Sequence, residues 1–230
     1  MKIIRSILQL RRHAPAILAF TFAIAGLQLQ AQEDTQGHET RAGEVVWQHV
    51  GRVYLDPSTG KAVYAGYIGH INGIDGSLFN GTPGENTAHF TFSTDVLTFT
   101  PLPNNGDVAL SFVSAGTFSV YYNPNPNGDW NNPASFSTGQ LIATFVRKES
   151  LFPNMGPIGF HSLSETLGSS QTFTFDGQTF NFNRIAPHGI TFAQYLSSSP
   201  LAGITDYPVA FAAAGTTTAI GASPEECHDQ

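Results

Sequence analysis

The chain has 230 residues, 41% of them hydrophobic and 12% charged, with a formal net charge of −7 at pH 7. This length allows one sizeable hydrophobic core. The acidic balance repels nucleic-acid phosphates and anionic lipid headgroups, so it argues against nucleic acid and a membrane surface as partners.

The first 31 residues have the features of a secretory signal peptide. Basic residues begin the segment, a mostly apolar run follows from residue 14 to residue 29, and Ala31 provides a small side chain for cleavage. The apolar run is short for a transmembrane helix, which needs about 20 apolar residues. We therefore predict a secreted or periplasmic protein that leaves the membrane after cleavage behind Ala31. A retained N-terminal anchor is the alternative.

After the signal peptide, the chain divides into a leader, one domain and a tail. Residues 32–43 and 222–230 are polar and lack periodicity, which predicts a flexible leader and a polar tail. Residues 44–221 are expected to form a single domain. Cys227 is the only cysteine, so no internal disulfide can form and packing alone must hold the fold.

Short strand patterns separated by turn residues fill the expected domain. Residues 44–55 and 61–71 are rich in β-branched and aromatic residues and flank an Asp-Pro-Ser-Thr-Gly turn. In residues 87–95, phenylalanine alternates with polar residues, which predicts a strand with one apolar face. In residues 171–183, the same alternation continues on both sides of an Asp-Gly pair, which predicts a tight hairpin.

These patterns predict an all-β domain of roughly eight to ten short strands with long loops rich in Asn, Pro and Gly. A single antiparallel β-barrel and a β-sandwich both fit that strand count. Gly66, Gly69 and Gly73 cluster in one strand region, which indicates the strong bending of a barrel, so we expect the barrel. The segment 190–196 also fits a short helix, because it follows a proline and a glycine.

The most unusual loop is YYNPNPNGDWNNP, residues 121–133. Its Asn spacing imitates a calcium loop, but neutral Asn replaces Asp, and Ala134 stands where a bidentate Glu should close the site. We therefore expect a stiff, ordered connection between strands without a bound metal. Trp130 has two interpretations: it contacts a ligand, or it packs on the base of its own loop.

No residue pattern assigns a catalytic centre. His49, His70 and His89 lie in predicted strands, but no His-x-His pair occurs, so we expect no metal site. The chain also lacks a Gly-x-Ser-x-Gly motif and a phosphate-binding loop. We expect no cofactor, and whether the protein is an enzyme stays open.

Two stretches within residues 50–95 resemble a known family. VGRVYLDPSTGKAVYAGYIGHI (50–71) has an apolar strand leading to Asp-Pro, a Thr-Gly turn and a Gly-rich strand, and SLFNGT (77–82) contains Phe-Asn-Gly. The first stretch resembles the opening of the dirigent and allene-oxide-cyclase barrels, and the second resembles a Phe-Asn-Gly stretch of dirigent proteins. The resemblance implies a small antiparallel barrel whose lumen binds an apolar substrate and directs its cyclisation or coupling without a cofactor.

The resemblance also implies positions for several side chains. Arg52 and Asp56 would flank a turn, and Tyr67 and His70 would lie on a bent strand near the lumen.

Two functions of different classes fit the sequence; we expect the first, and the second is the alternative. In the first, the barrel holds a small apolar ligand and, if it is an enzyme, acts as a cofactor-independent isomerase or cyclase. In the second, the protein is an extracellular module that binds a glycan or a surface through exposed loops. A lumen cavity of about 300 Å³ or more favours the first function, and a packed interior favours the second. The ligand-binding candidates are Arg52, Asp56, Tyr67, His70, His89 and Trp130.

Overall fold

The computed structural model of the chain describes residues 39–102, 109–147, 150–155 and 158–221. The predicted signal peptide, most of the predicted leader, and the tail with Cys227 lie outside these residues. Within them, no helix is both long enough and apolar enough to cross a membrane.

The described part of the chain contains 14 β-strands, one 3₁₀ helix and one short α-helix. The 3₁₀ helix is Pro133–Ser137, and the α-helix, α1, is Phe182–Ile185. The strands are β1 (Val45–Asp56), β2 (Lys61–Ile71), β3 (Phe90–Thr94), β4 (Leu97–Pro101), β5 (Ala109–Val113), β6 (Gly116–Tyr122), β7 (Gln140–Arg147), β8 (Ser150–Met155), β9 (Ile158–Ser170), β10 (Phe173–Phe175), β11 (Gln178–Phe180), β12 (Ile190–Ser197), β13 (Leu201–Ile204) and β14 (Tyr207–Ala219).

Eight of the strands close an antiparallel β-barrel. Around the barrel the order is β1, β14, β12, β9, β7, β6, β3 and β2, and β2 pairs again with β1. Each neighbouring pair is antiparallel. The predicted all-β barrel is therefore confirmed, and the sandwich alternative is not formed.

Three further strands extend the barrel wall. β4 pairs with β2, β5 pairs with β4, and β8 pairs with both β5 and β9. Only Asp95 and Val96 separate β3 from β4, and only Ser114 and Ala115 separate β5 from β6. β3 and β4 are therefore two parts of one strand path with a two-residue interruption, and so are β5 and β6.

A glycine pair permits the close approach of β1 and β2. Gly51 lies opposite Gly66, and a Cβ atom at Gly66 would overlap the backbone oxygen of Val50 and lie 2.9 Å from the Phe92 ring. An added methyl group would have to displace backbone atoms, so only glycine fits. Gly66, one of the glycines that indicated bending, lies at this close approach.

Aromatic side chains fill much of the barrel interior. Trp47 stacks on Phe118, at a centroid distance of 6.0 Å, and meets Phe145 edge-on at 5.5 Å. Phe182 of α1 also meets the Trp47 ring edge-on. Offset and edge-to-face geometries are the favourable ones for aromatic pairs. The phenylalanine-rich sequence thus supplies a tightly packed core without disulfides.

The strands β10 and β11 form the predicted hairpin. Its turn residues Asp176 and Gly177 have positive φ angles of 48° and 75°, as a two-residue type I′ turn requires. Phe173 and Phe175 lie against the buried Phe90 ring. The hairpin therefore joins the same aromatic core.

Residues 190–196 belong to strand β12, so the helical alternative for this segment is wrong. Burial alternates along β12, with Ile190, Phe192, Gln194 and Leu196 buried and the residues between them more exposed. That period of two is the period of a strand. Pairing with β9 and β14 on both sides outweighs the weak helix signal.

Candidate functional site

Three predicted ligand-binding residues meet on the outside of the barrel. The guanidinium carbon of Arg52 lies 4.8 Å from the Trp130 ring centroid, and the Tyr67 ring lies 6.0 Å from the same ring. All three side chains are partly exposed. Phe79 extends the group beyond Tyr67, at a ring distance of 5.8 Å. We call Arg52, Tyr67, Phe79 and Trp130 the outer aromatic face.

Arg52 is the cation of the outer aromatic face. It points outward because its neighbours Gly51 and Val53 belong to the inward side of β1. Among the described residues, Arg52 makes neither a hydrogen bond nor an ion pair. Stacking on an indole ring orients a guanidinium and leaves its N–H edge free to donate. The outer aromatic face thus presents the Arg52 guanidinium in a fixed orientation, with several N–H donors beside the aromatic rings.

The loop that carries Trp130 is fixed to the barrel wall. Tyr54 Oη donates a hydrogen bond to the Trp130 carbonyl oxygen at 2.7 Å, and Thr91 Oγ1 donates to the Phe136 carbonyl oxygen at 2.6 Å. Phe136 is fully buried, 4.9 Å from the Trp130 ring. Burial raises the pKa of Tyr54 to about 12, so its hydroxyl remains a donor at neutral pH. Trp130 therefore packs on its own loop.

The polar side chains of this loop bond to one another. Asn127 Oδ1 accepts hydrogen bonds from Asn123 Nδ2 at 3.1 Å and from Thr138 Oγ1 at 2.9 Å. Asp129 Oδ1 accepts from the Asn131 N–H at 2.8 Å. These contacts use side-chain oxygens that a cation would need. No cluster of three or more His, Cys, Asp or Glu suited to a metal occurs among the described residues.

Asp56 is the last residue of β1, next to the turn that leads to β2 and apart from the outer aromatic face. Its carboxylate accepts hydrogen bonds from the Ser58 hydroxyl at 2.6 Å, the Ser58 N–H at 2.9 Å and the Thr59 hydroxyl at 2.6 Å. These bonds, led by the Ser58 hydroxyl, lower the pKa of Asp56. The contacts stabilise the turn, and Asp56 is partly exposed.

The two remaining candidates also lie away from the lumen. His70 is exposed near the end of β2. His89 lies against the Phe175 ring, and its Nδ1 atom is 2.9 Å from the Asn123 carbonyl oxygen. The family resemblance placed Tyr67 and His70 near the lumen, but Tyr67 faces outward because the adjacent Ile68 occupies the core.

The lumen holds a different polar cluster, which the sequence reasoning did not identify. Its members are at most 4% exposed and come from β2, β7, β9 and β12. We define the lumen cluster as Tyr64, Arg147, His161, Glu165 and Gln194.

Arg147 links the lumen cluster to the break in the barrel wall. Its Nε donates to the Ser114 carbonyl oxygen at 2.9 Å, and its Nη2 donates to Asp95 Oδ1 at 3.2 Å. Its Nη1 lies 4.0 Å from Glu165 Oε1. The Asp95 side chain is 45% exposed, whereas the side chains of Arg147 and Glu165 are buried. One guanidinium thus spans from a surface carboxylate to an interior one.

Burial keeps most of the lumen uncharged at neutral pH. It raises the pKa of Glu165 to about 8, against the opposing effect of Arg147, so the carboxyl is largely protonated at pH 7. Burial, with a smaller contribution from the charge of Arg147, lowers the pKa of His161 to about 3. His49, which stacks on Phe192 at 4.4 Å, has its pKa lowered to about 3 by burial as well. Both imidazoles are therefore neutral.

A cavity lies against the lumen cluster. Its volume is about 10 Å³, and hydrophobic residues such as Phe118, Leu163 and Phe192 complete its lining. A site for an organic ligand has a volume of about 300 Å³ or more. The space beside the lumen cluster is therefore close to that of one water molecule.

Comparison of the chain with protein families, with curated proteins and with solved structures found no match. The resemblance to dirigent and allene-oxide-cyclase barrels stays a prediction.

The lumen cluster did leave a signal in the sequence. Arg147 follows Ala143 and Phe145 at intervals of two, Glu165 follows Leu163, and Gln194 follows Phe192. A polar residue that continues the apolar phase of a strand must lie inside the barrel. Metal-binding and nucleophile motifs do not include such isolated polar residues, so those motifs did not indicate the cluster.

Proposed function

We propose that the protein is a secreted binding module that recognises a saccharide through the outer aromatic face. The observation that carries this proposal is the guanidinium of Arg52, stacked 4.8 Å from the Trp130 ring and without a hydrogen bond or ion pair among the described residues.

Saccharide recognition needs two kinds of contact that this face offers together. Aromatic rings pack against the C–H groups of a sugar, and planar polar groups pair with neighbouring hydroxyls. Tyr67 and the exposed part of Trp130 supply the rings, and Arg52 supplies the N–H donors. The inner side of the Trp130 ring is occupied by Phe136, so a sugar would contact the ring edge and the Arg52 guanidinium.

The volume of the lumen also favours this function over a small apolar ligand inside the barrel. The latter needs a cavity of about 300 Å³, whereas the cavity beside the lumen cluster measures about 10 Å³. An isomerase or cyclase would need the same room for its substrate. We therefore prefer the surface-binding alternative.

The test measures saccharide binding by the secreted protein. Neutral and acidic oligosaccharides are immobilised as an array, and binding of hits is quantified by titration calorimetry. We expect Arg52→Ala to weaken binding about 10-fold or more, because an oriented anchor at the contact is lost. The control Lys61→Ala removes an exposed cation from β2 and should bind like the wild type. The proposal fails if no saccharide binds, or if both variants bind equally.

Export is part of the same proposal. N-terminal sequencing of protein recovered outside the cytoplasm should begin at or near Gln32. Recovery of an intact chain beginning at Met1 in the membrane fraction would contradict export with cleavage.

A further inference from the structure

Three of the buried polar atoms that lack a hydrogen-bond partner among the described residues belong to side chains that line the lumen cavity. They are Tyr64 Oη, Glu165 Oε2 and Gln194 Oε1. Each residue is 2% exposed, and all three line the same cavity. They come from β2, β9 and β12, and β1 and β14 separate β2 from β12 around the barrel. Unpaired polar atoms thus converge on one space from opposite walls.

We propose that the barrel lumen is a binding site for a single water molecule, held by Tyr64, Glu165 and Gln194. The volume of the cavity, about 10 Å³, is the smallest that accommodates one water. Buried waters characteristically bond to about three polar groups that would otherwise be unpaired. The three unpaired atoms and the volume of the cavity therefore both match what one buried water molecule needs.

The chemistry of these atoms favours water over an ion. Gln194 Oε1 can only accept a hydrogen bond, whereas the Tyr64 hydroxyl and a protonated Glu165 carboxyl can donate. Water both donates and accepts, so it can bond to all three. A cation would lie near the Arg147 guanidinium, whose Nη1 is 4.0 Å from Glu165 Oε1. An anion would face the oxygen of Gln194.

The amide of Gln194 is oriented by a neighbour. Its Nε2 atom lies 3.4 Å from His161 Nδ1, and a neutral imidazole nitrogen can accept from an amide N–H. This contact assigns the nitrogen of the amide to His161 and leaves the oxygen to accept a hydrogen bond from the bound water.

Such a water would connect strands that do not pair with each other. Hydrogen bonds from one molecule to β2, β9 and β12 tie opposite walls of the barrel together. Removal of an ordered water is unfavourable when the displacing group cannot replace its hydrogen bonds. The water would therefore make the lumen a rigid structural centre and keep organic ligands out of it.

The experiment counts long-lived internal waters of the secreted protein by ¹⁷O magnetic relaxation dispersion. We expect Gln194→Leu to contain one such water fewer than the wild type, because leucine removes the acceptor and fills the space. The matched control Gln48→Leu changes an exposed glutamine of β1 and should leave the count unchanged. Equal counts in the wild type and Gln194→Leu would overturn the proposal.

Tyr64→Phe and native mass spectrometry keep the proposal testable if Gln194→Leu does not fold or if an organic molecule occupies the lumen. If Gln194→Leu does not fold, Tyr64→Phe removes one hydroxyl at nearly constant shape and should shorten the residence time of the same water. Unchanged dispersion in Tyr64→Phe would then overturn the proposal. Native mass spectrometry of the wild type should show no bound organic molecule. A bound molecule that Tyr64→Phe releases would place a different ligand in the lumen and also overturn it.

Discussion

Arg147 carries a charge into the barrel and depends on a few nearby atoms to stabilise it. Its guanidinium is 2% exposed, so its contacts with the Ser114 carbonyl oxygen and with Asp95 replace much of its lost hydration. Gly116 makes this arrangement possible, because a Cβ atom there would overlap both the Asp95 carboxylate and the Arg147 guanidinium. A change of one methyl group should therefore break the contact.

Gly116→Ala is expected to lower the free energy of unfolding by about 2 kcal/mol, because the new methyl group separates Arg147 from its partner. Urea denaturation measures the change. Gly84→Ala is the control, since a Cβ at Gly84 meets its nearest atom at 3.5 Å, an ordinary contact. It should change stability by at most about 0.5 kcal/mol. Equal losses in the two variants would contradict the role of Gly116.

Glu165 gives the fold a sensitivity to alkaline pH. Burial raises its pKa in the folded state from 4.5 to about 8, so the folded protein keeps a proton that the unfolded chain releases. Stability is therefore lost as the pH rises through this window. We expect the melting temperature to fall by about 5 °C between pH 6 and pH 9, corresponding to about 2 kcal/mol.

Glu165→Gln should remove most of this fall, because an amide imitates the protonated carboxyl. Thermal melts at several pH values measure the effect, and Glu44→Gln, at an exposed position, is the control. A wild-type melting temperature that rises towards pH 9, or a fall that persists in Glu165→Gln, would show that Glu165 is not the titrating group.

At the scale of elements, the loop at residues 123–139 folds back on the barrel instead of extending into solvent. The 3₁₀ helix Pro133–Ser137 buries Phe136 against the outer side of the sheet, where Tyr54, Ala65 and Ala210 form a second apolar cluster. Trp130 covers this cluster from outside. The loop is thus a small packed layer on the barrel wall.

Trp130→Ala is expected to reduce the free energy of unfolding by about 1–3 kcal/mol, through loss of the contacts with Phe136 and Arg52. Tyr54→Phe removes only the hydrogen bond to the Trp130 carbonyl oxygen and should cost about 1 kcal/mol. Denaturant unfolding of both variants gives the comparison, and calcium should not change either result. Stability equal to that of the wild type in Trp130→Ala would show that the ring does not hold the loop.

The sequence predicted elements where the information is local. The Asp176-Gly177 turn determines the β10–β11 hairpin within a few residues. The placement of the loop on β1 and β3 depends on distant partners such as Tyr54 and Thr91, which no local pattern reveals. Arg52, Tyr67 and Trp130 could be selected one by one as polar or aromatic candidates, but their meeting on one face required the strand pairing.

The position of Arg147 was harder to predict because a bulge interrupts the phase of β7. The register of β6 against β7 shifts between Val120 and Tyr121 and skips Ile142, and both Ile142 and Ala143 are buried. A period-two pattern counted from Ile142 puts Arg147 outside the barrel, whereas one counted from Ala143 puts it inside. The strand pairing, in which Arg147 lies opposite Glu165, decides between the two.

At the scale of the whole molecule, the barrel encloses groups whose titrations oppose each other. Burial lowers the pKa of His49 and His161 from 6.5 to about 3. Between these two pH values, the unfolded chain therefore binds protons that the folded protein does not bind. Stability from this source is lost as the pH falls below 6.5. Glu165 acts in the opposite sense, and its contribution is lost as the pH rises towards 8.

These two effects predict a maximum of stability between about pH 6 and pH 7, where the histidines of the unfolded chain lose their protons while Glu165 in the folded protein still holds its own. Urea unfolding between pH 4.5 and pH 9 should trace this maximum. His49→Phe keeps a ring that can stack on Phe192 and should flatten the acidic side of the profile, whereas His70→Phe, at an exposed position, should leave it unchanged. A profile that rises or falls steadily across the whole range would contradict the opposition of the buried groups.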